Sequence, residues 1–291
     1  MKRTERVVRL LPAPAKAMAK TARHRVDPIF VAAYRRRSGE RAPIPPSAVR
    51  ARSGSPGVRS FLVGGRKAAQ ELENALATVG RSIEDFTSVL DFGCSSGRVL
   101  RHLLVRDTRG TTTYYGSDVD AQAIAWAQQH LPGARWVVNT SLPPLPFEDG
   151  QFDLIYSISV LTHLDEQRQL AWLDEIHRLL RPGGIALLTT HGAHAFTEFK
   201  AGRVISNSRS CMERIAAHGS LAAEGFIYEP YEISKWNKRD FPGISDSFGL
   251  TFHSEDYVRR RWADQFEILG ILPRALASWQ DIVIVQRRDA A

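Results

Sequence analysis

The residues of this chain with the greatest chemical reach stand in one short run, "VLDFGCSSGRVLRHL" at positions 89–103. Apolar residues lead to an acid, Asp91, then to Gly93, Cys94, Ser95, Ser96 and Gly97, after which apolar residues resume at helical spacing. Strand, small-residue turn and helix make a seat in which glycines let the main chain approach a ligand. The amides opening the helix offer positive partial charge. A pyrophosphate suits those amides but not Asp91, because two unit charges ~5–6 Å apart repel by roughly 3 kcal/mol at an effective dielectric near ~20. A ligand with one anionic and one cationic end uses both features. S-adenosylmethionine has that pattern, with a carboxylate, an ammonium, a sulfonium and a neutral adenosine.

Further along, "YYGSDVD" ends a second strand on Asp118, placed to accept ribose hydroxyls. Asp120 reads as the N-cap of the helix that opens at Ala121. Asn139, after a third strand, offers a donor and an acceptor to an adenine edge, or caps the turn "NTSL". His191 and His194 follow a fifth strand, and His253 ends a later insertion. A general base is needed only where the acceptor loses its proton during attack, and His191 is the candidate for it. His163 is expected to fix a helix start, and His177 to be structural. Tyr228, Tyr231, Trp236, Phe241 and Phe248 wall an acceptor pocket or form a small core of their own.

The elements that must position these residues alternate from Ser88 onward: five strands separated by helices or turns, with "RPGG" stopping the helix before "IALLTT". That order predicts an α/β fold, a doubly wound and mostly parallel sheet covered on both faces. The last two strands, "FEILGIL" and "QDIVIVQ", are joined by "PRALASW", too short for a helical crossover, so they are antiparallel neighbours. Residues 193–251 form an insertion at the carboxyl edge of the sheet, where a substrate lid is expected.

Together "VLDFGCSSG", "GSDVD", "PPLPFEDGQFDLIYSISVLTHL" and "LLRPGGIALLTTHG" resemble class I S-adenosylmethionine-dependent methyltransferases, with the bacterial small-molecule methyltransferase-domain group as nearest kin. The resemblance covers about residues 85–192, and 250–288 by topology. It implies a Rossmann-like, seven-stranded sheet whose last strand is antiparallel, in a domain spanning 61–291. It implies that Asp91, Gly93, Cys94, Ser95 and Gly97 hold the methionine part. Asp118 takes the ribose with Val119 beside it, Asn139 faces the adenine, and Ser157 and Ile158 line the site. The family often has glycine where this chain has Ser95, whose hydroxyl can donate to the ligand's carboxylate. Nucleobase amino-methyltransferases carry an Asn/Asp-Pro-Pro-aromatic turn after the fourth strand. This chain has "SISV" there, which disfavours nucleic acid and leaves a small-molecule, sugar or lipid-linked acceptor. A catalytically silent cofactor-binding protein of the same fold remains open. The missing GxGxxG argues against an NAD-dependent dehydrogenase.

Composition narrows the setting. Cys94 and Cys211 make no disulfide framework and no CxxC pair suggests zinc, so no metal is expected and a cytoplasmic setting is the default. Neither a secretory signal nor a membrane span is legible in the N-terminal pattern. The net charge of +8 is lopsided: residues 1–70 hold 17 Lys/Arg against 3 Asp/Glu, and the remainder 22 against 28. Residues 1–60 therefore read as a basic extension whose Pro/Gly/Ser-rich part, 38–60, is linker. Residues 1–37 read either as a solvated arm or as a contact for an anionic membrane surface, a nucleic acid or an acidic substrate, with a weak membrane contact the favoured partner reading.

Overall fold

Val89 on one side of a strand, and Leu90 and Phe92 on the other, are all buried, because each face of that strand carries its own hydrophobic core. A computed structural model describes residues 13–204, 209–232 and 248–288. The chain divides into two units, Met1–Gly64 and Gly65–Ala291.

In the larger unit, β1 (Ser88–Phe92) lies between β2 (Thr113–Asp118) and β4 (Phe152–Ser157), parallel to both. With β3 (Ala134–Val138), β5 (Leu180–Thr190), β8 (Phe266–Leu276) and β9 (Gln280–Arg287) they form one sheet, ordered β3-β2-β1-β4-β5-β9-β8. β9 runs antiparallel to β5 and to β8, as expected for the chain's last strand. Successive strand residues point to opposite faces. Leu90, Ile155, Leu188 and Val283 pack under α6 (Glu166–Leu179) and α10 (Glu255–Arg261), against Trp172, Ile176 and Val258. Val89, Leu154, Leu187 and Ile284 pack with Leu72 and Leu76 of α3 (Val58–Ala77) and Leu103 of α4 (Leu100–Arg106). A sheet buried on both faces explains the near-continuous apolar runs. The "RPGG" expected to separate helix from strand lies inside β5. Leu180 pairs with Phe152 and Ile185 with Leu154, so the intervening residues bulge out of the ladder.

The insertion folds as α7 (Ala193–Lys200), α8 (Arg209–Ala217), α9 (Leu221–Glu224) and an antiparallel pair, β6 (Phe226–Pro230) and β7 (Gly249–His253). Phe196, Phe199, Ile215, Ile227 and Phe252 give it a small core of its own. Trp236 and Phe241 lie outside the described residues.

The smaller unit corrects the linker reading at the level of its elements. α1 (Ala13–Ser38) is one helix that accommodates Pro28, and α2 (Ser47–Arg52) occupies the stretch read as linker. A buried ion pair is part of the cause. Arg50 is wholly buried, paired with Asp27, and donates to the carbonyls of Pro45 and Pro56. Asp27 also accepts the Ser47 amide at 3.0 Å, which ties α2 to α1. Val31 and Tyr34 pack on Val58, Phe61 and Leu62. Lys2, Arg3, Arg6 and Arg9 of the leader lie outside the described residues.

Candidate functional site

The strand order reverses between β1 and β4, and ligands of open α/β sheets bind at such a switch point, beyond the carboxyl ends of the strands. The ends of β1, β2, β3 and β4 bring Asp91, Asp118, Asn139 and Ser157 to that edge.

Residues 93–97 form a turn held by its neighbour strand. The amides of Gly93 and Cys94 both donate to the Ser117 carbonyl, at 2.8 and 3.0 Å. Asp118 locks the same turn from the side chain: one carboxylate oxygen accepts Ser95 N at 2.7 Å and the other Asp120 N at 2.8 Å. The Val119 main chain also bonds this carboxylate, and the remaining lone pairs are left for a ligand. Asp120 is the N-cap of α5 (Ala121–His130), accepting from Gln122 N and Ala123 N.

The turn's glycines serve packing before they serve a ligand. A Cβ on Gly93 (φ +85°) would lie 2.3 Å from the Val160 methyl, and one on Gly97 (φ +70°) 2.8 Å from Leu131 and from Trp136. Ser95 adopts φ +51°, a left-handed conformation costing an L-residue about 1 kcal/mol. Its hydroxyl is buried without a protein partner. Ser95→Gly is therefore expected to raise stability by about 0.5–1 kcal/mol, measured by denaturant unfolding. Cys94 is buried, and burial pushes its thiol well above the usual range, so only its main chain is available to a ligand.

Asp91 is buried, and burial pushes its carboxyl up to about 7. The Tyr156 hydroxyl and the Arg98 charge oppose that rise, and the Asp118 charge adds to it. Asp118 is also raised by burial, against the amides of Asp120 and Ser95. A cation placed beside Asp91 removes part of the cost of its charge.

Asn139 takes the turn role weighed for it from sequence. Its Nδ2 donates to Thr140 O at 2.7 Å within the turn, while its Oδ1 is buried and unpartnered. The Ser157 hydroxyl is likewise buried and unpartnered, and Val119 and Ile158 are half-buried beside these groups in sequence. Buried polar atoms without partners are uncommon in folded proteins. Those of Ser95, Asn139 and Ser157 suit a polar ligand.

The histidines assemble differently from the expectation. His191 is buried. Its Nδ1 lies 3.2 Å from the Thr251 carbonyl and its Nε2 3.4 Å from the Gln280 amide nitrogen, so Nδ1 carries the proton. Burial, then the nearby His163, pushes it down to about 3. An imidazole so hard to protonate is a weak base at neutral pH. His253 is buried on Gln169 at 2.8 Å and is pushed down to about 3 by burial, while His194 is half-buried and packs T-shaped against Trp279. His177 packs edge-on against Phe266, in the structural role expected. His163 does more than mark a helix start: its Nδ1 donates to Gly249 O at 2.9 Å, Phe248 stacks on its ring, and the Tyr231 hydroxyl is 3.2 Å away. With His253 N on His191 O and Thr251 Oγ1 on Leu164 O, these bonds fasten β7 to the turn at 161–164 that follows β4 and to the end of β5.

Sequence reasoning missed Ser159 and Gln280. Ser159 adopts φ +60°, its amide donates to Thr189 Oγ1 at 2.8 Å, and its hydroxyl meets the Gln280 side chain. "SISV" hints at the first residue; nothing in "QDIVIVQ" marks the second.

Residues 90–188 match the family described as "Methyltransferase domain". The chain is 28% identical over 130 residues to tRNA N(3)-methylcytidine methyltransferase Mettl2 of Drosophila melanogaster, covering 42% of this chain and 40% of that protein. It is 31% identical over 115 residues to malonyl-[acyl-carrier protein] O-methyltransferase of Enterobacter lignolyticus, covering 40% of this chain and 43% of that one. The matched stretch thus spans well under half the length of either relative. The fold superposes on a SAM-dependent methyltransferase from Methanosarcina mazei with a TM-score of 0.51 and 19% identity, over 74% of this chain and 98% of that one. The names of these two relatives give different acceptors, a tRNA cytidine and a malonyl-[acyl-carrier protein].

Proposed function

We propose that this chain, which carries a class I S-adenosylmethionine-dependent methyltransferase domain, transfers the cofactor's methyl group to a small-molecule acceptor, free or as part of a sugar or lipid-linked molecule. The observation that supports this reading best is the pairing, in one turn, of a buried acid at Asp91 with main-chain amides locked by Asp118.

When bound, S-adenosylmethionine supplies an electrophilic methyl on a sulfonium. In this reading Asp91 receives the ammonium, and the turn from Gly93 to Gly97, with the Ser95 hydroxyl, receives the carboxylate. Asp118 takes the ribose hydroxyls beside Val119, Asn139 the adenine edge, and Ser157 and Ile158 line the wall. In-line displacement depends chiefly on positioning. We assign His191 to that task in place of proton abstraction. It is neutral at physiological pH and, through Gln280, holds Ser159 at the end of β4. Tyr231 and Phe248, gathered on His163, face the acceptor in this reading, and the insertion selects it.

Asp91 makes cofactor binding depend on pH. Below about 7 the free protein holds Asp91 protonated. An ammonium ligand favours the carboxylate, so binding releases a proton and affinity falls with acidification, approaching about tenfold per pH unit well below 7. The stability effect has the opposite sense. A raised carboxyl favours the ligand-free fold at low pH, and that contribution is lost as pH rises from about 4 towards 7. Calorimetry between pH 5.5 and pH 8.5, in buffers of different ionisation enthalpy, reads the released proton. A flat affinity profile contradicts the role of Asp91.

Calorimetry with S-adenosylmethionine and NAD, followed by a labelled-methyl screen of small-molecule, glycan and lipid acceptors, tests the whole reading. The former binds and the latter does not. Tighter NAD binding overturns the cofactor, and tight S-adenosylmethionine binding with no labelled product in any class favours the silent binding protein.

A further inference from the structure

We infer that the outward face of α1 is a docking surface for an anionic lipid bilayer. α1 has two faces. One is packed: Val31 and Tyr34 lie on Val58, Phe61 and Leu62, and Asp27 is buried on Arg50. The other carries Val26, Ile29, Phe30 and Ala33, at positions i, i+3, i+4 and i+7, all exposed. Ile29 is 68% exposed and Phe30 61%. One turn on, the same face continues into the exposed Arg36 and Arg37, and Arg25 flanks its start.

The charge of the face decides its occupant. α1 contains seven Lys/Arg and a single acid, Asp27, which is buried and paired on the opposite face. The described outward face is thus apolar in its middle, cationic at its ends and free of carboxylates. A helix lying in a bilayer interface needs that combination, because the apolar residues enter the acyl boundary while arginines meet anionic headgroups. A nucleic acid would take the arginines and leave Val26, Ile29 and Phe30 in water. The inference adds to the methyl-transfer reading without depending on it, and it gives the chain access to a lipid-linked acceptor.

Co-sedimentation of the full chain with vesicles of phosphatidylcholine plus phosphatidylserine, and of phosphatidylcholine alone, is the test. The chain sediments with the anionic vesicles, and the bound fraction drops as salt is raised. Ile29→Glu with Phe30→Glu lowers partitioning about tenfold or more, since the substituted positions leave the bilayer. Arg36→Gln with Arg37→Gln lowers it too and flattens the salt dependence. Circular dichroism and S-adenosylmethionine calorimetry on the same variants are unchanged, which separates this surface from the cofactor site. Equal sedimentation with neutral vesicles, no sedimentation at low salt, or wild-type binding by the Ile29→Glu, Phe30→Glu variant overturns the proposal. So does a dimer or a nucleic-acid complex that the same variant dissolves while the vesicles stay unbound.

Discussion

Asp118→Ala lowers the affinity for S-adenosylmethionine about 150-fold, equivalent to roughly 3 kcal/mol. Two losses combine. The ribose loses two charge-assisted acceptors in the proposed binding mode, and the turn loses the acceptors for Ser95 N and Asp120 N. The second loss acts without ligand, so the variant also unfolds at lower denaturant. Asp118→Asn separates the two. It keeps one carbonyl oxygen for the turn and gives up the charge, so its affinity loss is about tenfold while most of the stability returns. Calorimetry and denaturant unfolding on both variants provide the check. Wild-type affinity in Asp118→Ala removes Asp118 from the ribose site.

The largest loss of stability is expected in the smaller unit. Arg50→Ala destabilises the smaller unit by about 3–5 kcal/mol, because it strands the Asp27 carboxylate in a buried position. It also frees the Pro45 and Pro56 carbonyls, which Arg50 satisfies. Replacing both charges by apolar residues, Asp27→Leu with Arg50→Met, recovers part of the loss, since no lone charge remains. It does not recover all of it, since the two carbonyls stay without that donor. Limited proteolysis across residues 38–57, with denaturant unfolding, reports the order wild type, double variant, Arg50→Ala. A protease-resistant Arg50→Ala contradicts the role of this arginine as the organiser of α2.

Composition misled at that point for a stated reason. "SGERAPIPPSAVRARSGSPGVRS" is rich in turn formers, and nothing local in it requires a helix. The requirement comes from Asp27, 23 residues earlier in the chain. Periodicity, by contrast, was dependable wherever a strand or helix buries a regular stripe. β1, β2, β4 and α6 lie where apolar spacing put them, and β8 and β9 are antiparallel as their short connection required, although β8 takes in Pro273–Leu276 and leaves only residues 277–279 between the strands.

The candidate site divides along the same line. Which residues stand at the strand ends was legible: Asp91, Asp118 and Asn139 follow from where the apolar runs stop, and Ser157 from the family resemblance. What those residues can do was not. Asp91 rises to about 7 and His191 falls to about 3 because helices, sheet and insertion together exclude water from them. Gly97 is needed where Trp136 and Leu131 approach it, and Ser159 meets Gln280 across 121 residues of chain. The order of residues determines which groups are present and the period at which they recur. Proton affinity, close approach and long-range pairing depend on distance and on the exclusion of water, and only the packed tertiary structure decides those.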